Sequence, residues 1–118
     1  MRRDPSFLKD ILVACRKIEA IVSSTSEDLF LKDEVLPAAL LHPLTVIGEA
    51  ISRLSVELRE HHREVPWRQI IAVRNRIVHA YFDIDLQILW DAATGDIPEL
   101  RQRVFEILTT EFSDPLPD

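Results

Sequence analysis

Apolar residues recur every three or four positions along most of the chain, which is the spacing of one face of an α-helix. The first such stripe predicts a helix from about residue 5 to residue 22. Asp4 followed by Pro5 is typical of a helix start, with the aspartate as N-cap and the proline at the first helical position. The stripe comprises Leu8, Ile11, Leu12, Cys15, Ile18 and Val22.

A second helical region is predicted between Ser26 and Leu58, with an irregularity in its first half. Ser26 has the character of an N-cap, since two acidic residues follow it. Pro37 and Pro43 each remove a helical hydrogen bond, so we expect a short helix that ends before Pro37 or a bend at Pro43. The apolar stripe is regular from residue 44 to residue 58. Gly48 lies among its members, which favours close approach of another helix.

The second half of the chain predicts three more helices. Pro66 begins a third major helix that continues past residue 78. An acidic cap at residues 83–85 should start a short helix over residues 86–93. Residues 94–96 (Thr-Gly-Asp) should end it. Pro98 should start the last helix, whose buried stripe is Leu100, Val104, Ile107 and Leu108.

These elements predict an all-α fold, an up-and-down bundle of four main helices plus one or two short ones. The chain has 118 residues, 47% of them hydrophobic, and only two glycines. That length predicts a single domain over residues 1–118 with one core. The tail, residues 113–118, contains two prolines and is expected to fray.

Composition and charge indicate the compartment in which the protein is expected to work and the kind of partner it can bind. The lone cysteine, Cys15, excludes an internal disulfide and favours a reducing cytoplasm, and its place on the apolar stripe predicts burial. We expect no membrane partner and no secretory signal, since no apolar run nears the ~20 residues of a membrane span. The net charge is −6, but residues 53–79 contain six arginines against three glutamates, a local net of +3. That local charge permits phosphate contacts.

One short stretch carries more polar chemistry than a buried helix needs. It contains Arg74, Asn75, Arg76, His79 and Tyr81. Asn75 and His79 are four residues apart, so the amide could hold the imidazole in one tautomer. Arg74 and Tyr81 are seven apart and share a face, whereas Arg74 and His79 are about 140° apart around the helix axis. The helix therefore loosens near His79, or a second copy of the chain supplies the other wall of a cleft.

Arginine and histidine suffice for RNA cleavage without a metal ion. His79 can move the proton of a 2′-hydroxyl or of the leaving oxygen, and Arg74 can bind two phosphate oxygens. One histidine per chain cannot serve as both base and acid in a single turnover, but a dimer brings two. The plainer alternative is that both side chains only neutralise the helix C-terminal dipole.

A second polar stretch, residues 60–64, contains the adjacent histidines His61 and His62. Such a pair at a helix end can indicate a metal site. No second cluster of histidine, cysteine or carboxylate at ligand spacing accompanies it in the sequence. We therefore interpret this stretch as a solvated connector and expect no metal site and no cofactor.

The chain resembles the HepT-like toxins of the HEPN superfamily (higher eukaryote and prokaryote nucleotide-binding domain). Their signature is arginine, four residues, histidine, one residue, tyrosine, which residues 74–81 match at every position. The resemblance extends over roughly residues 30–108. Its other parts are the Gly48–Glu49 pair, the Pro66–Trp67 helix start, and the two closing helices at residues 85–90 and 97–100.

That resemblance implies an endoribonuclease toxin whose antitoxin is a minimal nucleotidyltransferase. It implies a homodimer in which Arg74 and His79 of both copies line a shared cleft, with RNA rather than DNA as substrate and 2′,3′-cyclic phosphate as product. Asn75 and Arg76 would support the catalytic pair. It also implies that the antitoxin silences the toxin by transferring AMP to Tyr81.

The sequence departs from the family pattern at His42–Pro43, where an arginine and a helix-compatible residue are usual, and at Thr45, where an acid is common. We interpret the first departure as a locally bent helix with a partly exposed imidazole. Loss of that arginine could also weaken activity. An alternative function is therefore a non-catalytic, nucleotide-binding or scaffolding partner of a nucleotidyltransferase.

Overall fold

The apolar stripe near the N-terminus forms the central helix, α1 (Asp4–Ser23), in the computed structural model. The structure describes residues 3–79, 85–112 and 116–117, with the backbone alone at 77–79. Cys15 lies on the buried face of α1, as predicted. Burial, reinforced by the nearby Glu19 charge, raises the pKa of the Cys15 thiol to about 12, so the side chain is a neutral core residue at physiological pH.

The predicted cap of α1 is wrong. Arg3 occupies the N-cap position without a side-chain hydrogen bond, and Asp4 is the first helical residue. The Asp4 carboxylate instead accepts hydrogen bonds from the backbone N–H of Ser55, at 2.9 Å, and from the Ser55 hydroxyl, at 2.6 Å. Two donors from a distant segment replace the local backbone donors that a cap would use, so this carboxylate connects two parts of the fold.

The second helical region consists of four separate helices. Ser26 caps the first of them, since its hydroxyl accepts from the backbone N–H of Leu29 at 3.3 Å, as predicted. Three breaks then separate the helices of this region before residue 62. The helices are α2 (Glu27–Lys32), α3 (Val35–Ala39), α4 (Leu41–Arg53) and α5 (Val56–His61).

The two prolines of this region lie inside helices, in their first turns. Pro37 is the third residue of α3 and Pro43 is the third residue of α4. A first-turn N–H has no acceptor within its own helix, so a proline there costs no hydrogen bond. The break in the chain therefore falls at Leu40, ahead of Pro43. His42 is exposed at the start of α4, which agrees with the interpretation of a local irregularity with an exposed imidazole.

The third major helix, α6 (Trp67–His79), begins directly after Pro66, as predicted. Asp85 caps the next helix, α7 (Leu86–Asp91), through the backbone N–H groups of Gln87 and Ile88. The predicted stop at residues 94–96 is wrong. The chain stays helical through a π-helical segment, Ala92–Asp96, into α8 (Ile97–Glu111).

Pro98 gives a physical reason for the π-helical segment. In a continuous α-helix its ring would clash with the carbonyl of Thr94, four residues earlier. The wider turn brings the N–H of Ile97 to the carbonyl of Ala92, five residues back. A helix with a local bulge therefore replaces the stop predicted at residues 94–96, whereas Pro98 lies in the first turn of the last helix, as predicted.

Helix α1 packs against α4 and α8, and α4 packs against α6. The buried side chains form one hydrophobic cluster to which these four helices contribute, together with α2, α5 and the π-helical segment. The residues that the structure describes contain helices and connecting turns but no strand. The predicted all-α bundle is confirmed. The predicted fraying of the tail falls mostly on residues outside those described, and Pro117 accepts a hydrogen bond from Arg16 at 3.1 Å.

The expectation that no apolar run nears the length of a membrane span is wrong, since residues Val35–Arg53 are long and apolar enough to pass as one by length and composition alone. The stretch comprises two helices, α3 and α4. About half of its residues face the interior, where α4 packs against α1 and α6. Core helices of globular domains share this composition, so the stretch is weak evidence for a membrane segment.

Candidate functional site

The predicted site begins on α6, where it crosses α4. Gly48 of α4 faces Arg74 of α6, and a Cβ atom added at Gly48 would lie 3.1 Å from both Cγ and Cδ of that arginine. A larger residue at position 48 would therefore push the arginine side chain away from α4. The close helix approach that Gly48 predicted from the sequence is confirmed, and the group that approaches is the stem of Arg74.

The guanidinium of Arg74 is held by groups from both helices. Its Nη2 lies 3.5 Å from Oε1 of Glu49 on α4, and its Nη1 donates to Oδ1 of Asn75 at 2.9 Å. Its Nε is buried and, among the described residues, has no hydrogen-bond partner. The side chain is 24% exposed. A guanidinium has five N–H donors, so donors remain for a phosphate that enters from solvent.

The structure describes less of the surroundings of the other predicted site residues. The amide oxygen of Asn75 is used by Arg74, and Arg76 is exposed. His79 is the last residue of α6, and nothing of its side chain is described. Tyr81 lies outside the described residues. The structure therefore brings Arg74 and Asn75 together, while the contacts of His79 and Tyr81 stay predictions.

The model of the family described as "Ribonuclease HepT-like" matches residues 11–107. This chain belongs to that family. The matched range contains all five predicted site residues, Arg74 to Tyr81, and confirms the resemblance that the arginine–histidine–tyrosine signature indicated.

Individual relatives extend the match over nearly the whole HepT-like chain. A protein of Caldanaerobacter subterraneus, named as a candidate RNase, is 38% identical over 111 residues, which cover 94% of this chain and 99% of that protein. A protein of Thermococcus cleftensis, named as a candidate ribonuclease HepT, is 33% identical and covers 85% of this chain and 91% of its own length. No solved structure matches the chain.

Sequence reasoning missed Glu49 as a residue of the HepT-like site. Glu49 is 25 positions from Arg74, so no local spacing could connect them. The only signal was the Gly48–Glu49 pair, which we used as a mark of family resemblance. The structure gives each member a physical role: Gly48 leaves room for the stem of Arg74, and Glu49 pairs with its head.

A groove lies near the other end of α6. Its volume is about 820 Å³ and it is lined by residues 56, 59, 60 and 63–69. Three arginines and two glutamates face it, and none of the predicted site residues lines it. This groove therefore does not mark the predicted site, and the assignment of Arg74 depends on its chemistry and on the family.

Proposed function

We propose that this HepT-like chain is the toxin of a toxin–antitoxin pair and that it cleaves RNA internally without a metal ion or cofactor. The observation that carries the proposal is the setting of Arg74, a partly exposed guanidinium held in place by Glu49 and Asn75. A fixed cation with free donors at the surface is suited to an RNA phosphate. Membership of a family described as ribonucleases supports the same reading.

In the proposed reaction, Arg74 binds the non-bridging phosphate oxygens and His79 transfers protons. His79 takes the proton of the 2′-hydroxyl, the 2′-oxygen forms a bond to phosphorus, and the bond from phosphorus to the 5′-oxygen breaks. The leaving 5′-oxygen takes up a proton. The products are a 2′,3′-cyclic phosphate and a 5′-hydroxyl, with Asn75 and Arg76 as supporting residues.

The proposed active form is a homodimer in the cytoplasm. The entering 2′-oxygen and the leaving 5′-oxygen lie on opposite sides of phosphorus in an in-line displacement, so one His79 cannot reach both, and two copies are needed to supply base and acid. Helical geometry also separates Arg74 and His79 by about 140° on one straight helix, which favours a cleft completed by a second copy.

The proposed control partner is a minimal nucleotidyltransferase antitoxin that transfers AMP to Tyr81. The phenol oxygen would attack the α-phosphorus of ATP and release pyrophosphate. Tyr81 follows Arg74 by seven residues, so on a continuous helix the added phosphate would lie on the Arg74 face and compete with RNA. Mass spectrometry after co-expression with the antitoxin should show one AMP on the Tyr81 peptide. A silenced toxin with unmodified Tyr81 would exclude this mechanism.

The ribonuclease proposal is tested with purified protein and a defined RNA in the presence of a chelator. The wild-type chain should produce fragments that end in 2′,3′-cyclic phosphate, and both Arg74→Ala and His79→Ala should lower the cleavage rate by about 10²-fold or more. Arg3→Ala is the matched control, because it removes an exposed arginine ahead of α1, outside the cationic stretch at residues 53–79. Equal cleavage by wild type and by both site variants would disprove the assigned roles.

The alternative proposal is a non-catalytic module that binds nucleotide or scaffolds a nucleotidyltransferase. The net charge of −6, the Glu49 carboxylate beside Arg74 and the His42–Pro43 departure favour it. It predicts nucleotide or partner binding by purified protein without RNA turnover. The cleavage assay therefore separates the two proposals.

A further inference from the structure

Two adjacent histidines and a distant glutamate meet at the junction between α5 and α8. His61 is the last residue of α5 and His62 follows it, while Glu111 ends α8. Nε2 of His61 lies 3.4 Å from Oε1 of Glu111, and Nε2 of His62 hydrogen-bonds to Oε2 of the same carboxylate. One potential ligand atom from each of the three residues falls within 4.8 Å of the others.

We propose that His61, His62 and Glu111 bind a divalent transition-metal ion of the zinc class. Two imidazole nitrogens and one carboxylate are a ligand set found in zinc sites with an open fourth position. Tetrahedral coordination at the usual ligand distances separates neighbouring ligand atoms by about 3.3 Å, close to the 3.4 Å between Nε2 of His61 and Oε1 of Glu111. Nε2 of His62 would move slightly away from the carboxylate to which it now hydrogen-bonds. Imidazole ligands favour Zn²⁺, Co²⁺, Ni²⁺ or Cu²⁺ over Mg²⁺ or Ca²⁺.

The surroundings of His62 support this assignment, because they already fix that ring. Its Nδ1 lies 3.3 Å from Oε1 of Glu64, and its side chain is only 15% exposed. A carboxylate on the second ring nitrogen orients a metal-binding histidine, so Glu64 would hold the ring through Nδ1 while the ion replaced the proton that Nε2 now shares with Glu111. The backbone is also fixed, since Nε1 of Trp67 donates to the carbonyl of His62 at 3.1 Å.

His61 supplies the adjustable ligand. Its side chain is 71% exposed, so it can rotate towards the ion without disturbing the core. Both imidazoles bind the ion in their neutral form, and protonated rings would release their protons on binding. The ion would link the end of α5 to the end of α8, two segments about 50 residues apart.

The site is separate from the proposed ribonuclease chemistry. His62 precedes the start of α6, whereas His79 ends that helix. The proposal therefore concerns stability rather than cleavage. Bound Zn²⁺ should raise the melting temperature of the folded chain in a concentration-dependent way. RNA cleavage should proceed in the presence of a chelator, because the proposed reaction uses no metal ion.

The test uses the full chain without any histidine tag, stripped of metal and titrated with Zn²⁺ alone by calorimetry. Wild type should bind one ion per chain, and His61→Ala, His62→Ala and Glu111→Gln should each weaken binding at least tenfold. His42→Ala is the matched control, because His42 is an exposed histidine on another helix, and it should bind like wild type.

A second readout uses Co²⁺ as a spectroscopic probe. Wild type should show visible absorption typical of low-coordinate cobalt, and Glu111→Gln, which keeps the shape of the side chain, should not. Circular dichroism establishes that each variant is folded. Binding by Glu111→Gln equal to wild type, an equal loss in His42→Ala, or no saturable binding by wild type would each overturn the proposal.

Discussion

Arg74 contributes both to the packing of the bundle and to its proposed chemistry. Its stem fills the space that Gly48 leaves on α4, and its head pairs with Glu49 and Asn75. A flexible arginine loses much rotamer freedom when it binds a phosphate. These neighbours restrict the side chain beforehand, which lowers that loss and makes the site sensitive to small changes in α4.

A Gly48→Ala substitution should separate stability from activity. Alanine is preferred to glycine inside a helix by up to about 1 kcal/mol, so the free energy of unfolding should hold or rise slightly. The new Cβ would lie 3.1 Å from two carbons of Arg74 and should displace that side chain by a few tenths of an ångström. Cleavage should fall on the order of tenfold, because rates are steeply sensitive to misplaced groups. Urea unfolding and a cleavage assay measure the two effects.

Gly95→Ala is the control for that prediction. Gly95 also lies in a helical segment, and its φ is not positive. A Cβ atom added there would have no described atom within 4 Å. It should leave cleavage unchanged. A Gly48→Ala variant that cleaves RNA as fast as Gly95→Ala would show that the exact position of Arg74 does not limit the reaction.

The sequence predicted Arg74 as a site residue but not what surrounds it. Arg74 was found because it belongs to a dense polar stretch with a known spacing. Glu49 was not, because an ion pair between two helices depends on how they pack, which no local pattern encodes. The same limit applies to Glu111, which contacts His61 and His62 only in the folded bundle.

At the scale of helices, the most informative contact is the one between the start of α1 and the start of α5. The Asp4 carboxylate accepts from both the N–H and the hydroxyl of Ser55. That hydroxyl in turn caps α5 by accepting from the N–H of Leu58 at 3.2 Å. One side chain thus fixes a helix start 51 residues away along the sequence.

Asp4→Ala should therefore destabilise the fold although Asp4 is near the end of the chain. Loss of a charged acceptor for two donors should lower the free energy of unfolding by about 1–3 kcal/mol. Asp4→Asn keeps one acceptor oxygen of similar shape and should cost less. Equilibrium urea unfolding of the three proteins measures the order. An alanine variant as stable as wild type would mean that water satisfies Ser55 equally well.

Helix existence was predictable from the sequence, whereas helix ends were predicted unevenly: the starts at Ser26 and Pro66 were correct, and the Asp4 cap and the stop at residues 94–96 were wrong. The apolar spacing identified α1, α4, α6 and α8, because burial of one face dominates their stability. Prolines indicated helix starts better than helix breaks, since α6 begins directly after Pro66 and Pro98 lies in the first turn of α8, as predicted. Pro37 and Pro43 lie in first turns, and Pro98 is accommodated by a π-helical segment. A proline excludes one hydrogen bond, but the sequence alone does not say whether the chain breaks, restarts or widens around it.

At the scale of the whole molecule, the proposed reaction needs catalytic groups and cations that a single chain does not supply. Each chain supplies one proposed catalytic histidine, His79, whereas the proposed mechanism uses both a base and an acid in each turnover. Its net charge of −6 opposes RNA, so attraction must come from a local concentration of cations. The proposed two-fold dimer would bring two Arg74 side chains and two His79 side chains to one cleft, which would meet both needs.

This arrangement makes a quantitative prediction for mixed dimers. Two differently tagged copies, one wild type and one His79→Ala, can be co-expressed and isolated by sequential purification on both tags. If the two histidines act as base and acid in one shared cleft, the mixed dimer should have well below half of the wild-type activity, on the order of a hundredth. If each copy carries an independent site, the mixed dimer should have half. The matched control pairs wild type with Arg3→Ala and should be fully active. This control excludes tagging and isolation as causes of a loss. A mixed dimer at half activity, or a wild-type chain that cleaves RNA as a monomer, would disprove the shared cleft while leaving the ribonuclease proposal itself intact.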